Sequence, residues 1–159
     1  MNTLTIGNTA PLFELLNQAD ETVKLSDYIG DHGKQVLVYF YPKAMTPGCT
    51  TQACAIRDFK KEFSKLKTVV LGVSPDAYPR LQKFIDRDNL NFDLLSDEEH
   101  NVADKYGSWG PKKFMGREYD GILRQTFIIG KDGRLKGILD KVRTKTHHEV
   151  VLDFIKENL

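Results

Sequence analysis

Two cysteines stand five residues apart in the stretch Pro42-Lys43-Ala44-Met45-Thr46-Pro47-Gly48-Cys49-Thr50-Thr51-Gln52-Ala53-Cys54. A thiolate is a nucleophile, a redox centre and a soft metal ligand, and its backbone setting decides among these. Upstream, Gln35-Val36-Leu37-Val38-Tyr39-Phe40-Tyr41 is a short apolar and aromatic run that reads as a buried strand. Downstream, Ala53, Ile56, Phe59, Lys60 and Phe63 recur at helical spacing, which predicts a helix from near Cys49 to about Leu66. Cys49 is thereby set at a strand-to-helix junction. There the free N–H groups of the first helical turn can bond an anion, and the helix dipole favours thiolate over thiol. Pro47 and Gly48 set a turn expected to leave the sulfur accessible from the loop side. Cys54 falls inside an amphipathic helix, where a cysteine is either a small core hydrophobe or a redox partner for the first.

Other polar residues carry two readings each. Arg124 interrupts the apolar pattern Ile122-Leu123-Arg124-Gln125-Thr126-Phe127-Ile128-Ile129, so it either lies on a solvated face or pairs with an anion. Thr46 is placed to cap the helix, and Pro42 to end the strand. Among the histidines, His147 and His148 open the last helix as an exposed pair, while His32 and His100 fall in surface turns. Cys-x4-Cys with scattered histidines matches no usual zinc spacing, so no metal is expected.

The pattern Pro-x-x-x-Thr-x-x-Cys, here Pro42, Thr46 and Cys49, resembles the active-site signature of the peroxiredoxins. With Thr-Pro-Gly-Cys-Thr and Cys54 five positions later, the stretch from Tyr39 to Cys54 is similar to their bacterioferritin comigratory protein, or PrxQ, branch. The likeness continues through Leu94-Leu95-Ser96-Asp97, Phe114-Met115-Gly116 and Arg124-Gln125-Thr126-Phe127, and so covers nearly the whole chain. It implies that Cys49 is the peroxidatic cysteine, Cys54 the resolving one, and Arg124 the partner of the thiolate. Thr46 and Pro42 would complete the site, the proline by shielding the sulfur from water. It further implies a hydroperoxide substrate, thioredoxin or a similar dithiol as reductant, and a monomer. Tyr41, Trp109, Phe114 and Tyr119 become candidates to shape a pocket for an organic peroxide tail, although aromatic residues at this density also serve as core.

The chemistry so implied needs no flavin, haem or metal, because sulfur carries both electrons. A free thiol of pKa about 8.5 is roughly 3% ionised at pH 7, so full ionisation raises a rate at most about 30-fold. A drop of about 2.5 pKa units lowers intrinsic nucleophilicity by roughly 13-fold at a Brønsted coefficient near 0.45. The two effects nearly cancel. Enzymatic rates must then come from holding the peroxide in line and stabilising charge on the departing oxygen. Candidates are Arg124, the Thr46 hydroxyl and the N–H groups near Gly48 and Cys49.

The elements that must position these residues alternate along the chain. Residues 12–16 and 22–25 read as a hairpin, followed by a helical turn from Ser26. After the strand and helix of the cysteine region come a strand at 68–74, a helix at 76–88 with Pro79 in its first turn, a strand at 91–95 and a short helix at 98–106 closed by Gly107. Residues 122–129 and 135–140 flank Lys131-Asp132-Gly133 as an antiparallel hairpin, and a last helix puts Val150, Val151, Phe154 and Ile155 on one face. Residues 109–120 show no clear period and read as a loop or ribbon near the site. This order predicts an α/β chain with a thioredoxin-like fold: a mixed central sheet, helices on both faces and an N-terminal hairpin.

Composition sets the bounds. At 159 residues and 40% hydrophobic content, one domain spanning 1–159 can bury a sizeable core. Lys and Arg number 23 against 22 acidic residues, a net charge of +1 that offers no footprint for nucleic acid or an anionic membrane. The start, Met1-Asn2-Thr3-Leu4-Thr5-Ile6-Gly7-Asn8, lacks a signal peptide's basic and apolar regions, and no apolar run approaches membrane-spanning length. A cytoplasmic protein is expected, where two cysteines argue for a redox, metal or inert role over a structural disulfide. Two other functions compete. A thiol-disulfide oxidoreductase favours Cys-x-x-Cys, and a copper-delivery module would place two cysteines close together with a distal histidine.

Overall fold

Along the run that precedes the cysteines, Val36, Val38 and Phe40 alternate with Leu37, Tyr39 and Tyr41, and a period of two sends the sets to opposite faces. Both sets are apolar, so this strand must be covered twice. The computed structural model, which describes residues 4–140 and 142–159 apart from the side chain of Phe114, places it inside a mixed sheet. In chain order the strands are β1 (Glu14–Asn17), β2 (Thr22–Lys24), β3 (Gln35–Phe40), β4 (Thr68–Ser74), β5 (Asp93–Ser96), β6 (Trp109–Phe114), β7 (Arg117–Ile122), β8 (Gln125–Ile129) and β9 (Leu135–Asp140). Among the described residues, β2-β1-β5-β4-β3-β8-β9 is the order of a seven-stranded sheet, and β6 with β7 forms a separate ribbon. Strands β3, β4 and β5 run parallel; β8 and β1 join them antiparallel, with β9 and β2 outside.

The helices are α1 (Pro47–Asp58), α2 (Lys60–Lys65), α3 (Tyr78–Asp88), α4 (Asn101–Tyr106) and α5 (His147–Asn158). On the face of Leu37 and Tyr39, they contribute Ala53, Ile56, Phe63, Phe84, Val151 and Ile155 to one core. On the other face α4 supplies Val102, Ala103 and Tyr106, beside Phe13 and Phe127. This is the thioredoxin-like arrangement the element order predicts, with the hairpin β1–β2 at the edge beside β5.

Four local readings are corrected. The cysteine helix begins at Pro47 rather than near Cys49, and it breaks at Phe59 (φ −107°, ψ 17°) before α2 starts. Apolar spacing runs straight through that break, so periodicity does not reveal it. The run 122–129 is divided between the last residue of β7 and β8, with Leu123 and Arg124 in the connection between them. In α5, Val150 faces solvent, while His147, His148, Val151, Leu152 and Ile155 face inward. The histidine pair is therefore buried and not exposed, because positions 147, 151 and 155 form one stripe and 148 and 152 the next.

Candidate active site

Strand β3 delivers the chain to the site. The Tyr41 N–H still bonds the Val73 carbonyl at 3.0 Å, after which residues 42–46 form a loop in which Met45 is left-handed (φ 68°). Pro47, lacking an N–H, then opens α1 at the position where a missing donor costs least. The first intrahelical bond of this turn joins Thr50 N–H to the Thr46 carbonyl at 2.8 Å. The N–H groups of Gly48 and Cys49 therefore have no acceptor one turn back and point toward the space before the helix. Thr46 occupies the N-cap but does not cap; its hydroxyl donates to the Lys43 carbonyl at 2.9 Å, tightening the loop. Pro42 is half-buried at the loop's start.

Arg124 reaches this turn from the β7–β8 connection, 75 residues away in sequence. Its Nη2 donates to Cys49 Sγ at 3.0 Å and its Nη1 to Gln52 Oε1 at 3.1 Å. A Cβ added at Gly48 would stand 3.4 Å from the same Nη2, so the guanidinium lies across the first turn of α1. Of its two sequence readings, the solvated face is the one the geometry does not fit: the guanidinium is turned to the cysteine sulfur. Cys49 is only 1% exposed, which corrects the expectation of an open sulfur: the residue is covered and a substrate must enter a tight space.

Cys54 is half-buried on the same helix, and both thiols are free. Burial pushes the Cys54 thiol up; Arg57 opposes this, and Asp88 and Asp58 reinforce it. Five residues of helix separate two Cα atoms by about 8.6 Å, whereas a disulfide spans at most about 7 Å. With both cysteines inside α1, the two sulfurs cannot join while the helix is intact.

Three residues at the site escaped the sequence reading. Gln52 is 4% exposed and orients Arg124; its place three residues after Cys49, on the same helical face, was an available signal. Lys112 of β6 faces the site, where burial lowers its ammonium, Arg124 lowers it further and Cys49 raises it. His147 lies beneath, its Nε2 2.7 Å from the Thr126 hydroxyl and its ring 5.5 Å from that of Tyr39. Burial lowers it to about 4, with His148 and Arg124 acting in the same direction. The proposed aromatic pocket does not assemble: Tyr41 is core, Trp109 stacks on His100 at 3.7 Å, and Tyr119 is exposed. The Phe114 side chain lies outside the described residues. A cleft of about 330 Å³ beside Lys34, Lys60 and Lys67 opens at the opposite end of β3 and β4. Among the described residues no three His, Cys, Asp or Glu side chains gather as a metal site would require.

Residues 6–138 match the AhpC/TSA family. The chain belongs to that family. Its relatives include the Haemophilus influenzae putative peroxiredoxin Bcp, 54% identical over 98% of this chain and 99% of that protein. The Escherichia coli K12 peroxiredoxin Bcp is 49% identical over 99% of each. Among solved structures, a cysteine-to-serine variant of Xylella fastidiosa PrxQ superposes with a TM-score of 0.90 at 27% identity, over 99% of this chain and 98% of that one. The protein is thus a peroxiredoxin of the Bcp/PrxQ kind, a thiol peroxidase whose substrate is a peroxide. Neither competing reading, the oxidoreductase nor the copper module, fits this kinship. Among the described residues no helix is long and apolar enough to cross a membrane.

Proposed function

We propose that Cys49 is the peroxidatic cysteine and Cys54 the resolving cysteine of this peroxidase. The observation that carries the reading is the 3.0 Å approach of Arg124 Nη2 to Cys49 Sγ at the start of the helix that also holds Cys54. The Cys49 thiolate attacks the nearer oxygen of a hydroperoxide, whether hydrogen peroxide or an organic one. The O–O bond breaks, sulfur gives up two electrons and becomes a sulfenic acid, and the departing oxygen takes a proton to leave as water or an alcohol. Arg124 and the N–H groups of Gly48 and Cys49 stabilise charge as that bond lengthens, Thr46 shapes the loop, and Pro42 keeps water from the sulfur. Cys54 then condenses with the sulfenic acid, releasing water and forming an intramolecular disulfide. An external dithiol of the thioredoxin type restores both thiols by exchange.

The reading places one catalytic domain over residues 1–159, acting as a monomer in the cytoplasm in antioxidant defence, with no cofactor. Mass spectrometry of the reduced protein after one equivalent of hydrogen peroxide tests it. The expected product is a Cys49–Cys54 disulfide with two thiols lost. Sulfenic acid accumulating on Cys54, or intermolecular disulfides alone, would remove the assignment.

A further inference from the structure

Beside the loop of residues 42–46, the start of α3 carries an ion pair whose two partners also hold a backbone. Asp76 Oδ1 lies 3.2 Å from Arg80 Nε, four residues on. At Oδ2 the same carboxylate accepts the Ala44 N–H at 2.7 Å and the Ser74 hydroxyl at 2.8 Å. Arg80 Nη2 donates to the Ala44 carbonyl at 2.8 Å. The N–H and the C=O of one residue are thus both held by one ion pair. Ala44 is fully buried, so water does not stand in for either bond.

An acid just before a helix commonly serves that helix's own free N–H groups. Here the N-cap, Ala77, receives no side-chain cap, and the Asp76 carboxylate is turned to the loop instead. Asp76 is in turn fixed from β5, where the Ser96 hydroxyl donates to its carbonyl at 2.6 Å. The residue after Ala44 is Met45, whose left-handed backbone persists only where the surroundings impose it. Between them, the Ala44 bonds and the Thr46–Lys43 bond account for the shape of the loop.

We propose that Asp76 and Arg80 are positioning residues for peroxide reduction: by gripping both polar groups of Ala44, they fix the loop that carries Pro42 and Thr46 in the shape the reacting peroxide requires. The inference rests on the reading of Cys49 as the peroxidatic cysteine. Neither residue touches the sulfur; both act through the backbone. Their anchor is α3 and the sheet, not α1. The loop therefore stays in place when the cysteine helix unwinds, and only one wall of the site is rebuilt after each cycle.

The test uses Asp76→Ala and Arg80→Met, with Asp76→Asn and Arg80→Lys as conservative partners, each in the full chain carrying Cys54→Ser so that a single thiol reacts. Three quantities are read: the rate with hydrogen peroxide, the rate of alkylation by iodoacetamide, and amide exchange at Ala44. Misplacement of an orienting wall should slow the peroxide reaction by about 10- to 100-fold. Alkylation, which needs no such wall, should stay within about 2-fold, and Arg80→Lys should recover part of the loss. Ala44 exchange should be slow in both redox states of the unmodified protein and fast in Asp76→Ala. Should Asp76→Ala fail to fold, Asp76→Asn, which keeps an acceptor for Ala44 but weakens the ion pair, must still lose several-fold in peroxide rate alone. An unchanged peroxide rate, or a parallel fall in alkylation, overturns the proposal. The two readings fail separately: a Cys49→Ser protein that still consumes peroxide removes the assignment of Cys49, whereas normal dependence on Cys49 with fully active clamp variants removes the clamp alone.

Discussion

Cys49 and Cys54 share α1 under opposite conditions. The first is buried at the helix start, beside unpartnered N–H groups and under the Arg124 guanidinium. The second lies half-buried in the helix interior, where burial holds its thiol up and favours the protonated form. One environment suits a nucleophile and the other keeps a thiol quiet. Because the intact helix also holds the sulfurs too far apart to bond, the proposed roles of attack and resolution require two different conformations of one segment.

The largest expected effect separates the two sulfurs outright. Cys49→Ser should reduce peroxide consumption to background, while Cys54→Ser should consume one equivalent per chain and then stop, with no turnover driven by thioredoxin. Sustained turnover by the Cys54 variant in a coupled assay would break the comparison. Next in size is Arg124→Met, for which peroxide attack should slow by about 10²- to 10³-fold, the loss typical of a missing oxyanion donor. Stopped-flow rates at a pH where the thiol is ionised in both proteins check this; a loss that vanished there would leave the arginine acting on ionisation alone.

A smaller effect sharpens the conformational side. Hydrogen exchange across residues 49–57 should be slow in the reduced protein and fast in the disulfide form, while α2, beyond Phe59, stays protected in both. Unwinding withdraws Ile56, fully buried, whose side chain alone contributes about 1.5–3 kcal/mol. Equal protection in the two states would mean that Cys54 reaches Cys49 by another route.

The smallest effect concerns the buried histidine beside Thr126 and Tyr39. His147 titrates near 4 in the fold against an ordinary 6.5, so between those values the unfolded chain binds the extra proton. Stability from this group is complete above 6.5 and lost as pH falls toward 4, by at most about 3 kcal/mol. Urea unfolding of the wild type at pH 7, 5.5 and 4 should show the decline, and His147→Gln should flatten it. A His147→Gln slope matching the wild type would place the pH dependence elsewhere.

What the sequence made legible was local. Strand β3 and the helix after it follow from patterns a few residues long and set Cys49 at a helix start, although Pro47 and Gly48 lie in the first turn of that helix and not in a turn before it. The partners that complete the site come from far along the chain. Arg124 was ambiguous from spacing and acquired its direction only from the family resemblance. Asp76 and Arg80 meet Ala44 across 32 and 36 residues, through a backbone that carries no side-chain signal. His147 and His148 look like a polar helix start until the sheet beneath them is known. The break at Phe59 is invisible because apolar spacing continues through it, and the His148 ring that packs 4.6 Å from Phe59 comes from α5.

The five-residue spacing of the two cysteines also sets a race. On the proposed roles, once α1 lets go, Cys54 remains joined to Cys49 by a five-residue connection no longer than about 17 Å when fully extended. Confined to so small a volume, its sulfur meets the sulfenic acid at an effective concentration of roughly millimolar order. A second peroxide arriving from solution at micromolar levels must react about a thousand times faster to win, and winning means an irreversible sulfinic acid. By setting the two cysteines only five residues apart on one helix, the chain keeps its tether short, and so gives recovery the advantage over inactivation.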